Sequence, residues 1–158
     1  MKSITINTFR SEIKDWLDMR FSKLPDFSLP FFSQGGWEGW LQVEWAMFFT
    51  MRDYDVMREF HAYDQKNFRA DLVFNNNILN HPNIVIEIKC QSIYVNYQSF
   101  YNSILNDEHK LSLLSDGQRC AMFVVVVEPS LFTQLKHAGY NELPIVQNNI
   151  RIMYRVIK

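Results

Sequence analysis

The strongest constraint on the fold is the uninterrupted apolar run CAMFVVVV at residues 120–127. A run of this kind is typical of a central strand that other elements cover on both faces. The chain has 158 residues, of which 47% are hydrophobic, and this is enough for one core. Two independent cores would each have only about 80 residues. We therefore expect residues 1–158 to form a single α/β domain around this strand.

Hydrophobic spacing and turn residues divide the rest of the chain into helices and strands. The predicted helices cover residues 8–20, 37–51, part of 97–114, and 130–138. The predicted strands cover residues 56–63, 68–74, 84–90, 120–127 and 149–157. Three strands in succession predict an antiparallel meander, and the helix after them predicts a right-handed crossover to a parallel strand. The expected architecture is a mixed sheet of four to five strands flanked by helices.

Composition excludes some classes of function. Sixteen Lys and Arg against seventeen Asp and Glu give a formal charge of −1, which argues against polybasic binding of nucleic acid. No segment has the roughly 18 apolar residues of a membrane span, so we expect a cytoplasmic protein with no membrane partner. Aromatic residues reach 15%. They predict a Phe-rich core, or exposed rings that stack on bases or contact a protein partner.

Two predicted strands, FRADLVF and IVIEIKC, carry the residues that suggest chemistry. If they form a hairpin with Phe74 opposite Ile84, Asp71 lies opposite Glu87. Directly opposed residues have Cβ atoms about 4.5–5.5 Å apart, and two carboxylates this close repel each other unless a cation lies between them. Because side chains alternate along a strand, Lys89 shares the face of Glu87.

Two interpretations of this pair remain open. The acids could be solvated residues on an exposed sheet face, neutralised by Lys89 and Arg69. Alternatively, they bind a metal ion together with a third carboxylate. The helix at 37–51 offers one, because the following positions have the spacing of a single face: Trp37, Leu41, Glu44, Phe48 and Met51. A carboxylate in an apolar stripe is costly unless it is paired or bound to a cation. Glu44 could reach the rim of the core, but beside Asp71 and Glu87 we favour the metal.

The donor types favour a hard cation, Mg²⁺ or Mn²⁺, because such ions prefer carboxylate and water oxygens. The four histidines have no zinc-ligand spacing, and the chain has no P-loop, nucleophile elbow or Gly-rich dinucleotide motif. The remaining chemistry is metal-assisted attack of water on a phosphodiester. Lys89 would orient the water or neutralise charge on the phosphate. The expected metal ligands are Asp71, Glu87, Glu44 and the carbonyl of Ile88.

These residues resemble the PD-(D/E)xK nuclease superfamily, which has the restriction-endonuclease-like fold. Asp71 corresponds to the strand-borne Asp of the motif, and Glu87-Ile88-Lys89 corresponds to its E-x-K half. Glu44 resembles the additional acid of the first core helix. The segment NDEHKLSLL, with Asp107 and Lys110, is similar to the second core helix. Ala70 stands where the family often has proline.

The resemblance covers about residues 37–128, in the order αβββαβ. It implies a four-stranded mixed sheet and an Mg²⁺-dependent endonuclease, usually one that acts on DNA. Basic and polar residues near the motif are the expected nucleic-acid contacts: Arg69, Lys66, Arg52, Arg58 and Gln91.

Two alternatives remain beside the DNA nuclease. One is a toxin-type nuclease that cleaves RNA or tRNA, since no readout element in the sequence separates RNA from DNA. The other is a non-catalytic interaction or inhibitor module on a nuclease fold, which the near-neutral charge and the abundant aromatic residues favour.

Overall fold

A computed structural model describes residues 1–20, 37–65, 67–92, 94–144 and 150–158. The helices of the described residues are α1 (Ile6–Arg20), α2 (Trp37–Met51), α3 (Tyr97–Ser112) and α4 (Pro129–His137). The strands are β1 (Val56–Phe60), β2 (Ala70–Phe74), β3 (Ile84–Cys90), β4 (Arg119–Val126), β5 (Asn141–Leu143) and β6 (Arg151–Val156). The predicted α/β class is confirmed.

One mixed sheet has the strand order β1-β2-β3-β4-β6-β5. The first three strands form the predicted antiparallel meander, and β3 pairs with β4 in parallel after the crossover through α3. The sheet has six strands instead of four to five, because the sequence pattern does not predict β5. This edge strand has only three residues, too few to show an alternating pattern.

The helices cover both faces of the sheet. Helices α1 and α2 pack on one face, where Phe9, Trp45 and Phe123 are fully buried. Helices α3 and α4 pack on the other, with Ile104 and Leu135 in the core. Strand β4 is buried along its length except at its first residue, as its apolar run predicts. None of the described helices is long and apolar enough to cross a membrane.

Helix α2 has the predicted bounds but a different buried face. Its buried residues are Trp37, Leu41, Gln42, Trp45 and Phe49. The prediction that Glu44, Phe48 and Met51 lie on this face is wrong, and the Met51 side chain is exposed. The reason is tertiary packing: the ring of Phe9 on α1 stacks on Phe49 at 5.0 Å and meets Trp45 edge-on at 5.7 Å.

Candidate active site

The hairpin of β2 and β3 has the register that the sequence predicts. Phe74 pairs with Ile84 and Leu72 pairs with Ile86. Continuing this register by one residue places Asp71 across from Glu87. The Glu87 side chain is 1% exposed, and the next residue, Ile88, belongs to the apolar core. A buried carboxylate in a central strand needs specific partners, and the neighbouring elements supply them.

Asp71 is held by two hydrogen bonds. The side-chain amide of Gln42 donates to Oδ1 at 2.8 Å, and the backbone N–H of Ile88 donates to Oδ2 at 2.6 Å. Burial and the negative charge of Glu87 raise the pKa of Asp71 to about 8, against the opposing effect of the Ile88 N–H. Asp71 and Glu87 therefore form a closely coupled pair of acids.

Glu87 has two partners of its own. The Tyr63 hydroxyl donates to Oε1 at 2.5 Å, and the Lys110 ammonium lies 2.8 Å from the same oxygen. Burial raises the pKa of Glu87, and Lys110 and Tyr63 oppose that rise. Burial and the charge of Glu87 also raise the pKa of Tyr63, so the phenol remains a hydrogen-bond donor.

Lys89 lies between two acids from different helices. Its Nζ is 3.2 Å from Oε1 of Glu38 on α2 and 3.0 Å from Oδ2 of Asp107 on α3. The second oxygen of Glu38 accepts a bond from the Cys90 N–H at 3.2 Å. Burial lowers the pKa of Lys89, but Glu38 and Asp107 more than offset this effect, and the pKa is raised. Lys89 is therefore a protonated and well-positioned cation.

Asp107 joins the two lysines, because its other oxygen lies 3.4 Å from Nζ of Lys110. The ion pairs form a continuous network of alternating charges that runs from Glu38 through Lys89, Asp107 and Lys110 to Glu87, and Asp71 lies across the hairpin from Glu87. We call these six residues the charged cluster. Four carboxylates face two ammonium groups. The charged cluster therefore carries two excess negative charges when Asp71 is ionised.

A cleft of about 500 Å³ opens beside the charged cluster. Glu38 and Lys89 line it, together with Arg58 and Glu59 of β1 and Ser103 of α3. Glu59 has a φ of 52°, a conformation that is uncommon for a residue other than glycine. Strained backbone of this kind often occurs beside ligand sites. The cleft gives solvent and small ligands access to Lys89.

The structure does not bring Glu44 to the charged cluster. Its carboxylate lies 3.3 Å from Nη2 of Arg20 in a groove between α1 and α2, where Trp16 and Met47 are its neighbours. The expectation that Glu44 joins Asp71 is corrected, because α2 turns its Trp45 face to the core. Glu38 is the acid from α2 that reaches Lys89.

Two of the predicted nucleic-acid contacts are engaged elsewhere. Arg52 pairs with Glu12 and Asp15 of α1 and lies over the Phe48 ring. Gln91 is buried, and its amide donates to Glu128 at 2.8 Å. Its side-chain oxygen accepts bonds from the N–H groups of residues 127 and 128. Arg52 ties α1 to α2 and Gln91 secures the end of β4, so the structure gives neither a free side chain for substrate.

The other predicted contacts remain candidates. Arg58 is exposed and lines the cleft. Arg69 is exposed two residues before Asp71, and its carbonyl lies 3.4 Å from Nζ of Lys110. Lys66 lies outside the described residues.

Sequence reasoning missed Glu38, Gln42 and Tyr63 as site residues. Glu38 and Gln42 are four residues apart and share one face of α2, so their spacing is a usable signal. The sequence pattern predicts Tyr63 within a strand, but β1 ends at Phe60. Tyr63 lies in the segment that follows, where its hydroxyl donates to Glu87. Only the three-dimensional structure reveals that contact.

The donor set fits a hard divalent cation. Among the described residues, no group of three or more His, Cys, Asp or Glu is arranged to hold a metal ion. Mg²⁺ usually keeps several waters and needs only one or two carboxylates. Asp71 and Glu87 provide this number, and a cation beside them would offset both the burial and the repulsion from Glu87 that raise the pKa of Asp71.

Comparison of the chain with protein-family models, with curated proteins and with solved structures gives no match. The case for a function therefore depends on the geometry of the charged cluster.

Proposed function

We propose that the protein is a metal-dependent endonuclease that hydrolyses phosphodiester bonds of nucleic acid on a restriction-endonuclease-like core. One observation carries the proposal: Asp71 and Glu87 form a coupled pair on neighbouring strands, and Lys89 lies on the same strand as Glu87. The pair has carboxylate donors for one Mg²⁺ or Mn²⁺, and with Asp71 ionised the two excess negative charges of the charged cluster match the charge of that ion in magnitude.

Asp71, Glu87, Lys89 and the residues that hold them then have distinct roles. Asp71 and Glu87 would hold the divalent cation, which would supply polarisation of the phosphate and a bound water of lowered pKa. Gln42 and the Ile88 N–H fix the Asp71 carboxylate, and Tyr63 fixes Glu87. Lys89 stays protonated and stabilises the negative charge that develops on the phosphate.

DNA is the proposed substrate, with RNA as the alternative. Arg58 at the cleft and Arg69, two residues before Asp71, are the cations proposed to contact the phosphate backbone. Such contacts position a strand without reading its sequence, so we expect cleavage with little base specificity.

The decisive experiment incubates the purified protein with supercoiled plasmid and, separately, with total RNA. Each substrate is tested with MgCl₂, with MnCl₂ and with EDTA. The Glu87→Gln variant, purified in the same way, controls for contaminating nucleases. Cleavage that needs the metal and is lost in Glu87→Gln supports the proposal, and the substrate that is cut decides between DNA and RNA. If neither substrate is cut under any condition, the nuclease proposal is wrong.

Two glutamates of α2 provide a matched pair of variants. We expect Glu38→Gln to slow cleavage by about tenfold, because it weakens the contact that positions Lys89 at 3.2 Å. Glu44→Gln should leave the rate unchanged, because Glu44 contacts Arg20 on another face of the same helix. Initial rates on the same substrate test both expectations. Equal losses in the two variants would mean that α2 affects activity only through its stability.

A further inference from the structure

The ammonium group of Lys110 is surrounded by oxygen atoms, as a bound metal ion would be. Its ammonium group has three N–H donors and three oxygen neighbours: Oε1 of Glu87 at 2.8 Å, Oδ1 of Asp107 at 3.4 Å and the carbonyl of Arg69 at 3.4 Å. It also lies 5.4 Å from the centre of the Tyr63 ring. Two carboxylates and a carbonyl are the kind of oxygen donors that a hard divalent cation prefers.

Glu87 explains why a cation is needed at this position. The Glu87 side chain is 1% exposed, and a buried carboxylate without a counter-ion strongly destabilises a fold. Lys110 is the only cation that the described part of the chain places in an ion pair with Glu87. Lys89 is paired with Glu38 and Asp107 instead. Without a metal ion, the neutralisation of Glu87 therefore depends on Lys110.

We propose that Lys110 is a built-in counter-cation that occupies the Glu87 side of the metal site and competes with the divalent cation for that carboxylate. This inference rests on the proposed metal-dependent function. When the metal binds, Lys110 keeps its contacts with Asp107 and with the Arg69 carbonyl. Lys110 thus stabilises the fold in the absence of metal, and it weakens the affinity of the site for the divalent cation.

The test compares wild type with Lys110→Met, which keeps the aliphatic stem and removes the charge. Without metal, we expect the variant to melt about 5–10 °C lower, because Glu87 loses its counter-ion. MnCl₂ should then raise its melting temperature more than that of wild type. Calorimetric titration should give a dissociation constant for Mn²⁺ at least about tenfold lower than that of wild type, since a repelling charge is gone.

Lys136→Met is the matched control, because Lys136 is also helical and pairs with a glutamate, but at 3.9 Å on the surface. Its melting temperature should stay within about 1 °C of wild type, with unchanged Mn²⁺ affinity. If Lys110→Met is unfolded without metal, Lys110→Gln replaces it, since an amide can still donate to Glu87.

The outcomes separate this inference from the proposed function. If wild type binds Mn²⁺ and Glu87→Gln does not, but the Lys110 variants bind it equally or more weakly, the counter-cation role is wrong and the metal site stands. Failure of Mn²⁺ to refold or stabilise either Lys110 variant likewise overturns the role. If wild type itself binds no Mn²⁺ or Mg²⁺, both the inference and the metal-dependent function fail.

Discussion

Replacing Lys89 by alanine is expected to slow phosphodiester cleavage by about 10²–10³-fold while changing substrate affinity far less. A preorganised electrostatic contact to a developing charge is worth about this much. Lys89 is held by Glu38 on α2 and by Asp107 on α3, so its position is fixed before substrate arrives. These acids also raise its pKa, and the ammonium remains charged throughout the neutral pH range.

The fold should survive the loss of Lys89. Asp107 keeps its contact with Lys110, and Glu38 keeps the Cys90 N–H. Circular dichroism checks that the variant is folded. Binding of a labelled oligonucleotide in CaCl₂ and cleavage in MgCl₂ are then measured on the same preparation, with Lys136→Ala as the surface control.

Two results would change the role of Lys89. If binding falls in step with cleavage, Lys89 anchors the phosphate backbone and is not a catalytic group. If neither binding nor cleavage changes, the nuclease proposal loses its main support. The interaction-module alternative would then take its place.

The central hairpin and the crossover could be predicted from the sequence because their signals are local. The run at 120–127 and the alternation in IVIEIKC determine which strand is central and which face of β3 is polar. The pairing of Phe74 with Ile84 closes the turn-rich connection between β2 and β3, as in the predicted hairpin. The juxtaposition of Asp71, Glu87 and Lys89 is a consequence of that register.

The partner from α2 could not be chosen from the sequence alone. Starting from Trp37 and Leu41, a helical face can continue through Glu44 or through Trp45, and both continuations fit a period of 3.6. The choice depends on Phe9, which is distant in sequence and contacts Trp45 and Phe49. Because α2 turns toward Phe9, Glu38 instead of Glu44 approaches the sheet.

Gln91 differs from its predicted role for a related reason. A polar residue directly after the E-x-K segment resembles a substrate contact. In the fold, its side-chain oxygen accepts hydrogen bonds from the backbone N–H groups of residues 127 and 128, just beyond the end of β4. Backbone groups at the end of a strand need such partners. Hydrogen-bonding requirements of this kind arise only when distant strands meet, so the sequence alone does not reveal them.

Replacing Asp71 by asparagine is expected to stabilise the metal-free protein by about 3 kcal/mol at pH 9 and to abolish metal binding. In the folded protein, burial and the charge of Glu87 raise the pKa of Asp71 to about 8. In the unfolded chain the pKa is about 3.9. The folded state therefore retains a proton that the unfolded state loses between these pH values. Because only the unfolded state gains free energy by releasing this proton, the free energy of unfolding of wild type falls as the pH rises from about 4 to about 8.

The sign of the pH dependence follows directly. Below about pH 4 the carboxyl is protonated in both states, so the Asp71→Asn substitution should bring little gain. The gain should grow from about pH 4 to pH 8 and level off above pH 8. Asparagine can replace the carboxyl and keep a hydrogen bond with each of its two partners. Its oxygen accepts the Ile88 N–H, and its amide can donate to Gln42 once the Gln42 amide rotates.

Urea unfolding in EDTA at pH 4, 6, 8 and 9 measures the gain in the free energy of unfolding. Asp116→Asn is the matched control. Asp116 is fully exposed, and its ion pair with Lys158 is long at 4.0 Å, so no pH-dependent gain is expected. Adding MgCl₂ should make wild type more stable than Asp71→Asn. Binding of the ion stabilises the folded wild type, whereas the variant lacks one of the ligands. A variant that is less stable than wild type at every pH would show that the Asp71 carboxylate supports the fold and is not held ready for a cation.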